Sequence, residues 1–189
     1  MLPSEFDEAL GALGELLRDR HQTFDVVVVG GGGLVLARLI DRATKDIDVV
    51  ALRVEDVLKS AEPLPKELVE AVTEVSALLD LAPDWLNNGP ASTLRFGLPE
   101  GFLGRCEQRE YGGLTVLLAS RYDQIHLKVY AAADGAPNDK HHMDLKRLDP
   151  TESELRAAAE WTRTHDPSEG FALMLKGLLA TFGVEYENG

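Results

Sequence analysis

The sequence has few of the features that would mark a secreted or membrane protein. It contains a single cysteine, Cys106, among 189 residues, so it has no internal disulfide framework. No apolar stretch approaches the roughly 20 residues that a membrane-spanning helix needs. A secretory leader begins with a basic region and continues with an apolar one. The first ten residues here, MLPSEFDEAL, are acidic instead. We therefore expect a cytoplasmic protein with a reduced thiol and no membrane partner.

Positive charge is also scarce. The 32 acidic residues outnumber the 19 basic ones, and the net charge is −13, which argues against non-specific binding to DNA. The imbalance is uneven, because residues 91–150 carry eight acids and eight bases. These eight bases form either a local surface for an anionic ligand or ordinary solvated charges, and the sequence leaves both interpretations open.

Apolar residues, at 44% of the chain, suffice for a core. Their spacing predicts strands at 24–29 and 47–52 and a hairpin over 101–120. It predicts helices at 3–20, 34–40, 54–60, 65–79, 122–133 and 138–148, with further helices to the end. We expect an α+β fold in which a small mixed sheet is flanked by helices. Residues 1–120 would form the core, and residues 121–189 a helical region packed on it or continuous with it.

The most informative stretch is residues 26–52, VVVVGGGGLVLARLIDRATKDIDVVAL. It predicts a buried strand, a glycine turn, a short helix and a second strand. Asp46 and Asp48 lie two residues apart where the second strand begins, so their side chains point to the same face. Two adjacent carboxylates repel each other unless a cation lies between them, and oxygen ligands favour Mg²⁺. We therefore expect this pair to bind a divalent cation.

Four consecutive glycines, at 30–33, precede the predicted short helix. Glycine is a poor helix former, so the run needs a reason. One reason is the close approach of backbone N–H groups to a phosphate at the start of a helix. The other is tight packing of the helix on the sheet. A dinucleotide-binding unit fits poorly, because its third glycine would fall on Val35 or Leu36, depending on register, and the acidic pair begins the second strand instead of ending it.

The glycines and the acidic pair together resemble a known family. The order of Gly30-Gly31, a helix and then R-A-T-K-D-I-D at 42–48 is similar to the motifs of the polymerase-β-like nucleotidyltransferase superfamily. Within it, the chain most resembles the uncharacterised families near the AbiEii and MenT toxins, over residues 24–161. The resemblance implies that Gly30 and Gly31 hold the triphosphate of an NTP. The second motif residue is often serine in the superfamily, and Gly31 lacks that hydroxyl.

The same resemblance implies a metal site and further phosphate contacts. Asp46 and Asp48 would ligate two Mg²⁺ or Mn²⁺ ions, while Arg42 or Lys45 would assist with the phosphates. A third catalytic carboxylate often lies on a later strand in the superfamily. The corresponding strand here, LTVLLAS at 114–120, carries none.

Two residues of the predicted helices at 122–133 and 138–148 also match the AbiEii-like pattern. The resemblance gives Lys128 a contact to the triphosphate and Asp144 the role of the acid that completes the site, with Asp139 as the second candidate. A simple alternative for Asp144 is an i,i+4 ion pair with Lys140. The adjacent His141 and His142 point in different directions on a helix and do not form a metal pair by themselves.

The segment D-W-L-N-N-G at 84–89 is similar to an element of the same families. Trp85 beside two asparagines would be suited to stacking on a base and reading its edge. The commoner role of such a tryptophan is a core aromatic followed by a turn.

These expectations lead to hypotheses of different classes. The first is a metal-dependent nucleotidyltransferase that moves an NMP from an NTP to an RNA, with tRNA as a candidate, or to a protein, and that acts as a toxin with a cognate antitoxin. The second is a weak or inactive nucleotidyltransferase-like module for nucleotide binding or interaction. The third is an acidic scaffold in which the aspartate pair merely caps a turn.

Overall fold

A computed structural model describes residues 1–136 and 138–186. The chain separates into two compact units, Met1–Ser120 (unit 1) and Arg121–Gly189 (unit 2). The fold is α+β, as the sequence predicts, with a mixed sheet in unit 1. The helices of the described residues include none that is both long enough and apolar enough to cross a bilayer.

Unit 1 holds the sheet. Its strands are β1 (Phe24–Val29), β2 (Ile47–Val54), β3 (Val57–Ser60), β4 (Leu86–Asn87), β5 (Glu107–Tyr111) and β6 (Leu114–Leu118). Its helices are α1 (Pro3–Asp19), α2 (Gly30–Leu36), α3 (Lys66–Leu79) and α4 (Phe102–Arg105), with a 3₁₀ segment at Gly89–Phe96. Unit 2 contains α5 (Arg121–Ala133), α6 (Lys140–Leu148), α7 (Glu152–His165) and α8 (Glu169–Ala180).

The strand order is β3-β2-β1-β6-β5, so the apolar strands β1 and β6 both lie inside the sheet. β1 is antiparallel to β2 and parallel to β6. The outer edge of β2 is shared, because its first residues pair with β4 in parallel while its last residues pair with β3 in antiparallel orientation. The beginning of β2 is therefore enclosed by β1 on one side and by the short β4 on the other.

Helix α1 follows the predicted amphipathic pattern, with its buried side chains at Phe6, Leu10, Leu13 and Leu17. Ser4 is of a residue type that commonly caps helices, but it lies inside α1. Pro3 occupies the first turn, where its fixed φ suits the helix, so the helix begins earlier and Leu2 is the cap residue. The Leu2 N–H donates to the Glu5 carboxylate at 2.5 Å.

The predicted helix at 54–60 is wrong, because this segment forms a β-hairpin. β2 continues to Val54 and β3 returns from Val57, with Glu55 and Asp56 as a two-residue turn. Both turn residues have positive φ, 51° and 60°, as a type I′ hairpin turn requires. The usual Asn or Gly is missing from this turn, and the sequence therefore gave little indication of it.

The predicted short helix at 34–40 begins and ends about one turn too late. Helix α2 starts within the glycines, at Gly30, and ends at Leu36. Arg38 takes a left-handed conformation with φ 55°, and the Leu39 N–H returns to the Leu34 carbonyl at 2.9 Å. This is a Schellman-type end in which arginine replaces the usual glycine.

The predicted hairpin at 101–120 is confirmed in its second half. β5 and β6 pair in antiparallel orientation and turn at Gly112 and Gly113. The first part of the segment forms helix α4 instead of a strand. β6 lies between β1 and β5, so this apolar strand is in the interior of the sheet.

The helices of unit 2 lie close to their predicted positions. Thr151 and Glu154 form a capping box at the start of α7, since the Thr151 hydroxyl accepts the Glu154 N–H and the Glu154 carboxylate accepts the Thr151 N–H. Helix α6 begins at Lys140, because Asp139 accepts the His142 N–H at 2.8 Å and caps it. Pro137, which directly precedes the predicted helix at 138–148, lies outside the described residues.

Candidate functional site

The two aspartates lie where β2 begins. Asp46 directly precedes the strand, and Asp48 is its second residue; both are half-buried. Asp48 pairs with Val29 of β1 on one side and with Asn87 of β4 on the other. Neighbouring strands thus hold the Asp48 backbone from both sides, and this fixes the position from which its side chain extends.

Gly30 brings the glycine run and the acidic pair together. It has φ +71°, a left-handed conformation that glycine adopts at little cost. A Cβ atom at this position would overlap the Asp48 carboxylate and would lie 3.2 Å from its Cγ. The start of α2 and the Asp48 side chain are therefore in contact, as the predicted proximity of the two motifs requires.

The next two glycines make room for the connection that leads to β2. A Cβ on Gly31 would lie 2.9 Å from Arg42 Nη2 and 3.0 Å from Thr44 Oγ1. A Cβ on Gly32 would overlap the backbone carbonyl of Asp46. Close packing therefore accounts for these glycines, and the predicted phosphate contact of Gly30 and Gly31 stays a prediction.

The two basic residues of the connection differ in their surroundings. The Arg42 guanidinium lies over Gly31 and donates to the Ala43 carbonyl at 3.1 Å. Lys45 is exposed. The structure therefore brings Arg42, but not Lys45, into contact with the glycine run.

The segment at 84–89 is a core aromatic followed by a turn. Trp85 is fully buried and its Nε1 donates to the Val72 carbonyl at 3.2 Å, so the interpretation as a base-stacking tryptophan is wrong. The two asparagines have different partners. Asn88 Nδ2 donates to the Ala61 carbonyl at 2.8 Å, whereas Asn87 Oδ1 accepts the Gly89 N–H at 2.8 Å.

The donor set at the beginning of β2 suits a hard cation. The side chains there offer carboxylate and amide oxygen atoms, and Mg²⁺ is commonly bound by one or two carboxylates together with substrate phosphates. Among the described residues, no group of three or more His, Cys, Asp or Glu side chains is arranged to hold a metal. The residues thus fit an ion whose remaining ligands would be phosphate oxygens and water.

In unit 2, Lys128 and Asp144 form a buried ion pair. Lys128 Nζ donates to Asp144 Oδ2 at 2.8 Å, and their side chains are 5% and 0% exposed. Arg147 Nη1 lies 3.6 Å from the other oxygen of Asp144. The i,i+4 partner that the sequence suggested, Lys140, is exposed at the start of α6 and is not in these pairs. Asp139, the second candidate for the acid, serves as the helix cap.

The two adjacent histidines point in different directions, as predicted. His142 Nε2 lies 3.1 Å from Thr181 Oγ1 and its Nδ1 accepts the Asn138 N–H. His141 Nδ1 is buried and has no hydrogen-bond partner among the described residues. Desolvation, followed by the positive charges of Lys128 and Lys140, lowers the pKa of His141. No pattern in the sequence indicates that this imidazole nitrogen is buried.

A separate cleft of about 700 Å³ also lies in unit 1. It is lined by the start of α1 and the end of α2, including Leu2, Asp7, Val35, Arg38 and Ile40. None of the candidate site residues lines it.

The fold and the site define a nucleotidyltransferase-like α+β protein. An acidic pair begins a central strand, and a glycine turn with a short helix contacts it. The chain belongs to the family described as "Nucleotidyltransferase of unknown function (DUF6036)", whose model matches residues 8–149. The matched region contains the glycines, both aspartates, Lys128 and Asp144. Searches of the curated proteins and of the solved structures give no match.

Proposed function

We propose that this protein is a metal-dependent nucleotidyltransferase that moves an NMP from an NTP to an RNA, with tRNA as the first candidate, or to a protein. The observation that carries the proposal is the contact between Asp48 and Gly30, since it joins the acidic pair to the glycine turn. Membership of a nucleotidyltransferase family supports the reaction class. The narrower likeness to AbiEii and MenT proteins supports a toxin with a cognate antitoxin.

The chemistry follows from where charge develops. An acceptor oxygen attacks the α-phosphorus, the bond to the bridging oxygen breaks, pyrophosphate leaves, and a nearby carboxylate takes the acceptor proton. Mg²⁺ or Mn²⁺, when bound, would neutralise the charge on the attacking and leaving oxygens. Asp46 and Asp48 would hold the ion. The N–H groups of Gly30 and Gly31 would donate to phosphate oxygens at the start of α2, with Arg42 or Lys45 beside them.

The proposal also gives roles to Lys128 and Asp144. Lys128 would contact the β- and γ-phosphates, and Asp144 would complete the catalytic set. The buried ion pair between them supports a shared role, because a carboxylate at 2.8 Å holds the ammonium group in position.

A second candidate is a nucleotide-binding or interaction module with weak turnover or none. The apolar strand β6 favours it, since that strand carries no carboxylate to act as a third acid. The described residues also contain no group of three potential metal-binding side chains of the His, Cys, Asp or Glu types. This candidate keeps NTP binding but loses transfer.

The test is incubation of the protein with each labelled NTP, Mg²⁺ and either total tRNA or cell lysate. We expect label on one macromolecular acceptor, and we expect D46A and D48A each to abolish transfer and Mg²⁺-dependent NTP binding. D41A is the matched control, because Asp41 is an exposed acid of the same connection, and it should behave like the wild type.

Three results separate the hypotheses. Transfer at the wild-type rate by D46A or D48A would overturn the metal assignment. NTP binding in calorimetry without labelled product would favour the binding module. Neither labelling nor binding would leave only the acidic scaffold.

A further inference from the structure

Asn87 lies beside Asp48 on the neighbouring strand. The two residues are partners in the parallel pairing of β4 with β2, and the Ile47 N–H donates to the Trp85 carbonyl at 2.7 Å. Paired residues of adjacent strands direct their side chains to the same face of the sheet. The Asn87 carboxamide therefore shares a face with the Asp48 carboxylate.

Gly89 brings the oxygen atoms of these two side chains towards one small space. Its N–H donates to Asn87 Oδ1 at 2.8 Å, which turns the chain back towards β2. A Cβ on Gly89 would lie 3.1 Å from Asn87 Oδ1 and 4.0 Å from Asp48 Oδ1. An amide oxygen and a carboxylate oxygen thus face a volume that the absence of a side chain leaves open.

We infer that Asn87 is a further oxygen donor for the divalent cation held by Asp46 and Asp48. The inference rests on the proposed function, because it assigns a residue to the same metal site. An amide oxygen is a suitable ligand for Mg²⁺ or Mn²⁺, but it brings no charge. The site therefore offers two negative charges to the ion, and phosphate oxygens of the NTP supply the rest. Cation affinity is consequently low without nucleotide and rises when the NTP binds.

The adjacent asparagine provides a matched control. Asn88 has the same side chain but donates to the Ala61 carbonyl, away from Asp48. N87D and N88D each add one negative charge to the same turn. Only the charge at position 87 lies among the oxygen atoms that face the ion. N87D also keeps an oxygen to accept the Gly89 N–H, so it preserves the turn.

The experiment is a titration of the full chain with Mn²⁺ in the absence of NTP. Electron paramagnetic resonance measures binding as the loss of the signal of free Mn²⁺. We expect N87D to bind Mn²⁺ about tenfold or more tightly than the wild type, and N87A to bind more weakly. N88D should change the affinity much less than N87D. Circular dichroism and chemical denaturation verify that each variant is folded.

Each result of the Mn²⁺ titration either supports or overturns the assignment of Asn87. Equal affinities for N87D and N88D, or an unchanged affinity in N87A, would overturn the assignment of Asn87 while leaving the metal-dependent function intact. If neither the wild type nor N87D binds Mn²⁺, either alone or with an NTP present, both the inference and the metal site fail. A selective gain in N87D together with a loss in N87A supports the inference.

Discussion

Gly30 is the residue on which the candidate site depends most directly. Its backbone is left-handed, and its α-carbon contacts the Asp48 carboxylate. No other amino acid meets both requirements without strain, since a Cβ raises the energy of the left-handed conformation and also overlaps the acid. The glycine run is therefore explained by the chain's own atoms, whether or not a phosphate also binds there.

Gly30→Ala should destabilise the protein and displace Asp48. The left-handed conformation alone costs about 1–2 kcal/mol for an L-residue, and the overlap with the carboxylate adds to it. Chemical denaturation measures the change, and Mn²⁺ titration reports the displacement of Asp48. The control is Gly11→Ala, in helix α1 with no atom within 4 Å of the new methyl group, which should stabilise the protein by up to about 1 kcal/mol. Equal effects at the two positions would refute the explanation.

The ion pair of Lys128 with Asp144 has consequences for His141. The imidazole is desolvated and lies near the positive charge of Lys128, so its pKa in the folded state is below the unfolded value of 6.5. As pH falls through 6.5, the unfolded chain takes up a proton that the folded chain does not. Stability contributed by the neutral imidazole is therefore complete above this pH and is lost as pH falls towards the folded pKa.

His141→Asn should flatten the pH dependence of stability in acid. The free energy of unfolding of the wild type should fall more steeply than that of the variant between about pH 7 and pH 5. Denaturation at a series of pH values gives both slopes, and pH 8, where the imidazole is neutral in both states, provides the reference. Parallel curves for the two proteins would show that His141 does not titrate as described.

At the scale of elements, the sequence predicted the strongly periodic parts well. The alternation and apolar runs of β1, β2 and β6 and the spacing of α1, α3 and α5 follow from side-chain burial alone. The errors fall where tertiary contacts decide. The glycines of α2 have low helix propensity, and they become helical because only they fit against Asp48 and the connection to β2.

The hairpin between β2 and β3 shows a second kind of error. Its turn residues, Glu55 and Asp56, adopt a conformation that usually requires Asn or Gly, so local propensity pointed to a helix. The candidate site shows the same limit of prediction from local sequence patterns. The resemblance gave both aspartates, but the place of Asn87 depends on the pairing of β4 with β2, which no local pattern reveals.

Replacing the turn by Asn-Gly should stabilise the protein. Glu55→Asn with Asp56→Gly removes the cost of two left-handed L-residues and should raise the free energy of unfolding by about 1 kcal/mol or more. Asp56→Pro should have the opposite effect, because the proline ring fixes φ near −65° and this residue has φ 60°. Thermal and chemical denaturation test both. A loss of stability with Asn-Gly would contradict the turn assignment.

At the scale of the whole molecule, charge limits how an anionic substrate is bound. The net charge of −13 repels an NTP or an RNA at a distance. Among the described residues, at least five of the eight bases at 91–150 form ion pairs with the chain's own carboxylates, namely Arg95, Arg109, Arg121, Lys128 and Arg147. The interpretation of this segment as a basic surface for anions is therefore the weaker one. A divalent cation would supply the positive charge that the surface lacks.

The burial of Trp85 has a practical consequence. The chain contains two tryptophans, and one lies in each compact unit. Trp85 is enclosed in the core of the first unit, so its fluorescence should shift to longer wavelength when that core opens. Trp161 lies 4.1 Å, between ring centroids, from His165 in the second unit, and its surroundings change when this contact is lost. With one of them replaced by phenylalanine, the other reports on the unfolding of its own unit without any added label.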